Sequence, residues 1–315
     1  MEIFITALLL VGGAFTMSLQ NAFKRGFTKS CPLFFAFCST FFALLVFVAA
    51  SGFRFSFDVG LFKYSVLMGA AYAVCMVTLT LALKIGNLSL SGLIISASLI
   101  MPTLYGIIFL HNSVSVCFVI GLAVLAVALV LVNLGGSKRA DNGNEKEKPT
   151  ALADGEGSDT KARGTNNGAA KKSTVKWLIF ILIAAVTNGF TSIIQTAQQT
   201  AYNGAKKNEL MIIALAIACV AILLAAVITE RKHIKDGLKQ SITLGGGSGI
   251  MNGLLNLFVM YSLSRVPAAI VFPVISGAGL VFTFLTAFIV FKERYAKLQY
   301  LGYFIGLISV VLLNL

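Results

Sequence analysis

Charge is scarce in this sequence. Of 315 residues, 12% are Asp, Glu, Lys or Arg and 57% are apolar, whereas a soluble chain carries about a quarter charged residues. A soluble enzyme, a disulfide scaffold and a disordered tail protein are excluded at once, because the surface would be apolar everywhere. The shortage is sharper than the average suggests: 14 of the 37 charged residues lie in 135–175, leaving 23 for the other 274. Histidine is nearly missing as well. His111 and His233 are the two present, neither followed by a carboxylate at metal or dyad spacing. Asp58, Glu209, Glu230, Asp236 and Glu293 fall at the ends of apolar runs or between them. A membrane-embedded enzyme therefore has no nucleophile, base or metal cluster to work with, and neither a metal nor another cofactor is expected. The five cysteines, Cys31, Cys38, Cys75, Cys117 and Cys219, show no CxxC spacing. They read as small packing residues and imply no metal site or redox compartment.

What is present is a series of long apolar runs. A helix needs about 20 mostly apolar residues to cross roughly 30 Å of hydrocarbon. Ten stretches qualify: Ile3 to Phe23, Pro32 to Ala50, Tyr64 to Leu83, Leu90 to Leu110, Val114 to Leu134, Lys176 to Thr200, Leu210 to Thr229, Ile242 to Leu263, Ala268 to Phe291 and Leu298 to Leu315. Helices are required, since lipid offers no partner for exposed backbone groups and no barrel-like alternation of apolar and polar residues is seen. Short breaks such as Lys24-Arg25-Gly26, Arg265-Val266-Pro267 and Lys292-Glu293-Arg294 separate the runs. The expected class is an all-α integral membrane protein. The net charge of +13 sits mainly in the linker and loops, where it sets membrane orientation, so nucleic acid is not expected as a partner.

Residues 135–175 are rich in Gly, Ala, Asn, Lys, Glu and Asp and contain one large apolar residue, Leu152, before Val175. Such a stretch cannot bury a core and reads as a flexible linker between two five-helix halves, 1–134 and 176–315. The halves can be superposed. At an offset of 175, Phe15, Thr16 and Gln20 fall on Phe190, Thr191 and Gln195; at 180, Gly69, Tyr72 and Leu83 fall on Gly249, Asn252 and Leu263; at 181, Gly121 falls on Gly302, and Asn133-Leu134 on Asn314-Leu315. An odd number of spans per half makes the second copy enter from the opposite side, giving an inverted repeat. Two packings open to opposite sides then differ little in free energy, which suits a carrier and which a receptor or structural protein does not need.

The segment Leu263-Ser264-Arg265-Val266-Pro267-Ala268-Ala269, the apolar helix after it, Phe291-Lys292-Glu293-Arg294 and a final helix containing Gly302 resemble the closing part of the drug/metabolite transporter superfamily, EamA type. The layout from Leu83 through Gly121 is similar. Glu293 matches the family's Glu after the ninth helix, whereas Asn112 stands at its first-half counterpart, and the family's mid-helix Pro is not cleanly matched. The resemblance implies ten helices in two repeats and transport of small metabolites, amino acids, nucleotide-sugar-like solutes or drugs. The partners expected are a small solute and the lipid bilayer, with the chain multi-pass in a plasma membrane of the bacterial inner type, as a monomer or a homodimer.

Polar residues inside spans should face a partner helix or a wet cavity. Asn188, Thr191, Ser192, Gln195 and Gln199 share one face of the sixth span, and Thr16 and Gln20 mark the equivalent face of the first. Ser248, Asn252 and Asn256 make a second stripe, with Tyr72 at the repeat-equivalent of Asn252. Thr16, Gln20, Tyr72, Asn188, Thr191, Gln195, Asn252 and Asn256 are thus the candidate solute-binding set. Interhelical hydrogen bonding without any ligand is the competing reading for such residues. Gly245, Gly249 and Gly253 have the small-xxx-small spacing of close helix packing, and Pro273 is expected to produce a tolerated kink.

The function expected is a secondary carrier for a small polar, neutral or zwitterionic solute, with a channel-like pore or a proton-coupled exporter as the rivals. Loops after odd-numbered spans hold 20 Lys and Arg and those on the other side 5, which puts the linker in the cytoplasm; the family resemblance favours cytoplasmic termini instead. No span interior contains Asp, Glu or His. The small multidrug-resistance exporters, similar in layout, carry a Glu in the first span, so its absence here points to facilitated diffusion or exchange.

Overall fold

The computed structural model describes residues 2–54, 56, 58–85, 94–95, 98, 100–111, 115–142, 167–289 and 297–312. Among them the chain is helical between turns, without strands. The helices are α1 (Glu2–Gly26), α2 (Pro32–Ala50), α3 (Val59–Ile85), α4 (Ile100–Ile108), α5 (Val116–Asn142), α6 (Asn167–Ala201), α7 (Lys207–Glu230), α8 (Ile234–Leu263), α9 (Ala268–Ile289) and α10 (Lys297–Leu312). Seven of them, α1 to α3 and α6 to α9, are long and apolar enough to cross a membrane.

The breaks follow local chemistry. Pro32 opens α2, where its missing N–H costs nothing. Gly52 and Phe53, at φ 60° and 59°, turn the chain out of α2, and Gly204 at φ 79° does the same between α6 and α7.

Several boundaries differ from the sequence reading, among them α3, which starts at Val59 and not Tyr64, and α4, whose described helix is Ile100–Ile108. α1 runs on through Lys24 and Arg25 to Gly26, since a basic pair does not interrupt a helical ladder and the first breaker is Gly26 itself. α8 starts at Ile234 rather than Ile242, with Asp236 in its first turn, where the helix dipole favours a carboxylate. The stretch read as linker is helical at both margins, 135–142 and 167–175, because a helix already nucleated in the membrane extends cheaply. The middle of the linker, 143–166, lies outside the described residues, as do Asn112 and Glu293.

Side-chain pairs fix the helix directions. Glu230, ending α7, bonds the backbone at the start of α2, while Asn208, starting α7, reaches the Ala50 carbonyl at the end of α2; these two helices run antiparallel. α1 is antiparallel to α8, with Gly12 beside Phe258 and Gly26 beside Leu244. α3 is antiparallel to α6, from Tyr64 beside Tyr202 to Ala82 beside Ile181 and Trp177. α8 lies parallel to α2, and α3 parallel to α7. Around this centre α1 also packs on α9, α4 on α6 and α9, and α5 on α10.

Glycine permits the closest of these contacts. A Cβ on Gly69 would sit 2.6 Å from the Ala214 carbonyl oxygen of α7. One on Gly249 would overlap the Ser39 carbonyl of α2, and one on Gly253 would press Val46, so the α8 glycine stripe is a packing surface. α9 passes through Pro273 as a continuous helix, its segment Val271 to Ile275 buried with Leu10, Phe118 and Leu125.

Candidate solute pathway

Two cavities lie at opposite ends of the bundle. The first, of about 130 Å³, is formed by the end of α1 (Gln20, Lys24), Phe27, the start of α2 (Pro32, Phe35, Ala36, Ser39, Thr40) and the last turns of α3 (Tyr72, Met76, Leu79, Thr80). Extension of α1 past Phe23 is what brings Lys24 here. Among the described residues its ammonium is the one charged side chain on the wall. A Lys at the centre of a spanning helix costs about 2.5–3.5 kcal/mol; a wet cavity near the helix end relieves part of that cost. The loop beside this cavity is held by α8: the Gln240 amide donates to the Gly26 carbonyl at 3.0 Å, and Thr28 Oγ1 lies 3.3 Å from Gln240.

Behind α2 at the same end lies Glu230, 2% exposed. One carboxylate oxygen accepts the Leu33 and Phe34 N–H groups at 2.9 and 3.0 Å. These belong to the first turn of α2, whose own N-cap residue, Cys31, makes no side-chain capping bond. A neighbouring helix thus supplies the cap, a charge-assisted interaction with the positive end of a helix dipole.

From the floor of the cavity an amide ladder leads into the second half. The Asn252 side-chain amide donates to the Tyr72 hydroxyl at 2.9 Å. Asn256 donates to the Asn252 carbonyl at 2.9 Å and to its side-chain oxygen at 3.2 Å. Gln195 donates to Asn256 Oδ1 at 3.0 Å. Four predicted residues from α3, α8 and α6 are therefore one network.

The second cavity, of about 370 Å³, is lined by Leu110, by Thr196, Gln199 and Thr200 of α6, and by the chain from Leu263 to Ala268. Its polar groups are tied to one another. Gln199 donates to Gln198 at 2.6 Å and accepts from Ser264 at 3.1 Å, and Lys207 reaches Ser264 at 3.2 Å.

The other predicted residues are placed differently. Gln20 lines the first cavity away from the ladder. Asn188 sits one helical stage along α6, donating to Ser98 at 2.7 Å. The Thr16 and Thr191 hydroxyls bond the carbonyls of Gly13 and Thr187 in their own helices, both at 2.9 Å. The sequence reading passed over Lys24 as loop punctuation and over Glu230 as a boundary charge. For Lys24 a signal was available: it lies one turn beyond Gln20 on the same helical face.

Helices long and apolar enough to span a membrane surround a cavity at each end of the bundle. Residues 175–315 match the model of the EamA-like transporter family, so this part of the chain is similar to the EamA-type drug/metabolite transporters. A solved structure titled only "Crystal structure of protein" is similar in fold, with a TM-score of 0.69 over 98% of this chain and 96% of that one, at 12% identity. No curated protein matches the chain.

Proposed function

We propose that this chain is a ten-span carrier built from two inverted five-helix repeats, joined by the linker, that moves a small polar solute, neutral or zwitterionic, by alternating access. The observation that carries the reading is the pair of cavities at opposite ends, separated by the Tyr72–Asn252–Asn256–Gln195 ladder. Such an arrangement suits a site reached from one side at a time.

The helix pairing supports the repeat. Exchanging α1 to α5 with α6 to α10 turns the α1/α8, α2/α8 and α1/α9 contacts into α6/α3, α7/α3 and α6/α4, and turns α2/α7, α4/α9 and α5/α10 into themselves; all of these pairs pack. Opposed directions of α1 and α6, and of α2 and α7, fit inversion. The close contact of Gly69 on Ala214 has its counterpart in Gly249 on Ser39, at offsets of 180 and 175. Tyr72 and Asn252, equivalent in the alignment of the halves, meet each other, as residues beside a two-fold axis do.

Solute-binding roles fall to Gln20, Tyr72, Gln195, Asn252 and Asn256, whose amides and hydroxyl offer donors and acceptors together, with Thr16, Asn188 and Thr191 along the same faces. The carrier works as a facilitator or an exchanger, not as an enzyme. A screen of pooled metabolites in proteoliposomes tests it: one or more solutes should enter saturably, whereas unitary currents in a planar bilayer would mark a channel. The charge distribution puts the linker in the cytoplasm. A Ser158→Cys variant lacking the native cysteines should resist an impermeant maleimide on intact cells; strong labelling would reverse that orientation.

A further inference from the structure

We infer that the cavity at the end of α1 is an anion site, and that the transported solute presents a carboxylate to Lys24. The inference rests on the carrier reading and replaces its neutral or zwitterionic solute with an anionic one.

Lys24 makes no hydrogen bond or ion pair with the described residues, yet its side chain lines a small cavity with Gln20, Ser39, Thr40, Tyr72 and Thr80. No carboxylate is among the lining residues. Glu230, the buried carboxylate at this end, is turned to the α2 backbone. Lys24 keeps solvent access, but a cation on a cavity wall where no described residue supplies a counter-charge gives the cavity a positive potential that favours an anion. An incoming carboxylate would supply that counter-charge, with the Gln20 amide and the Tyr72 hydroxyl as further donors.

The rest of the site offers no match for a solute cation. The ladder residues beyond Tyr72 are neutral amides. A simple organic anion is therefore preferred to a zwitterion and to a neutral isostere. The far cavity also has a cation in its lining, Arg265, but that guanidinium donates to the Tyr261 carbonyl at 3.4 Å, and at position 199, an offset of 175 from Lys24, stands Gln, already bonded to Gln198 and Ser264.

The test uses full-length protein in phosphatidylcholine nanodiscs and matched probes, a set of small monocarboxylates (lactate, pyruvate, benzoate) each paired with its neutral amide. Thermal stabilisation reads binding without requiring transport. At least one acid should stabilise the wild type tenfold more tightly than its amide. Lys24→Gln should lose that preference while its unliganded melting temperature stays near wild type, and Lys24→Arg should keep most of it. The anion site is overturned if no acid outperforms its amide, or if Lys24→Gln retains the preference. Stabilisation appearing only in phosphatidylglycerol discs, independent of added acid, would assign the anion to a lipid headgroup and also overturn it. Flux in proteoliposomes is a separate arm: acids that bind through Lys24 but are never taken up would sink the carrier reading and leave the anion site standing.

Discussion

The two cavities lie at opposite ends of the bundle and are chemically unlike. At the first, a cation reaches into the space and neither gives nor takes a hydrogen bond among the described residues. At the second, Gln198, Gln199, Ser264 and Lys207 satisfy one another, and Arg265 turns back to the Tyr261 carbonyl at 3.4 Å. One mouth holds a cation with no partner among the described residues, while at the other most of the polar side chains bond one another. Buried polar groups tied together resist opening, whereas an unmatched one draws in a partner.

The sharpest way to break this comparison is to cut the pathway between the mouths. Gln195→Leu removes the α6 end of the ladder and Gln20→Leu removes its counterpart beside Lys24; either change should abolish saturable uptake in proteoliposomes while size-exclusion profiles stay unchanged. If uptake survives both with unaltered apparent affinity, the ladder is structural only.

Next in size is the shared scaffold. Gly69→Ala and Gly249→Ala each force a Cβ against a neighbouring backbone carbonyl and should cost about 1–3 kcal/mol apiece. Reversible denaturation in detergent reads this, and similar losses at both positions would support the equivalence of the halves. A large loss at one and none at the other would count against it.

Glu230→Gln should have a smaller effect. The amide oxygen can still accept both N–H groups, but the charge facing the start of α2 is gone, a loss of about 1 kcal/mol at a helix terminus. The same unfolding measurement checks it, and Glu230→Ala should cost more because two buried N–H groups then lose their acceptor.

The smallest change is expected from a proton gradient. With no Asp, Glu or His inside a span away from its ends, imposing a pH step at matched membrane potential should alter the level of accumulation by no more than about twofold. Accumulation well above equilibrium would redirect attention to Glu230, His111 and Glu293.

Much of this was legible in the sequence. Apolar runs of spanning length fix helices with little ambiguity, because lipid leaves the backbone no alternative, and α2 occupies the bounds read for it, Pro32 to Ala50. The stripe of Asn252 and Asn256 and the Gln195 face were visible as spacings of three and four. Lys24 shares the Gln20 face one turn on, but that spacing alone does not place it in the cavity, since a basic residue at the end of a run reads as loop whether its helix stops before it or carries it one turn further. Glu230 was missed for a related reason: its partner, the start of α2, is nearly 200 residues away, at separations of 197 and 196.

Composition and periodicity by themselves determined that this chain lives in a membrane as helices, where most of them begin and end, and which faces are polar, because those properties depend on solvent and on neighbours within a turn or two. Only the tertiary structure decided which polar faces meet. The union of Tyr72, Asn252, Asn256 and Gln195 into one ladder, the α7 carboxylate capping α2 and the Lys24 ammonium set against a wall without carboxylates all depend on how separate helices pack. Lipid drives each helix to form alone and says nothing about its partners; close glycine contacts and interhelical hydrogen bonds make that choice.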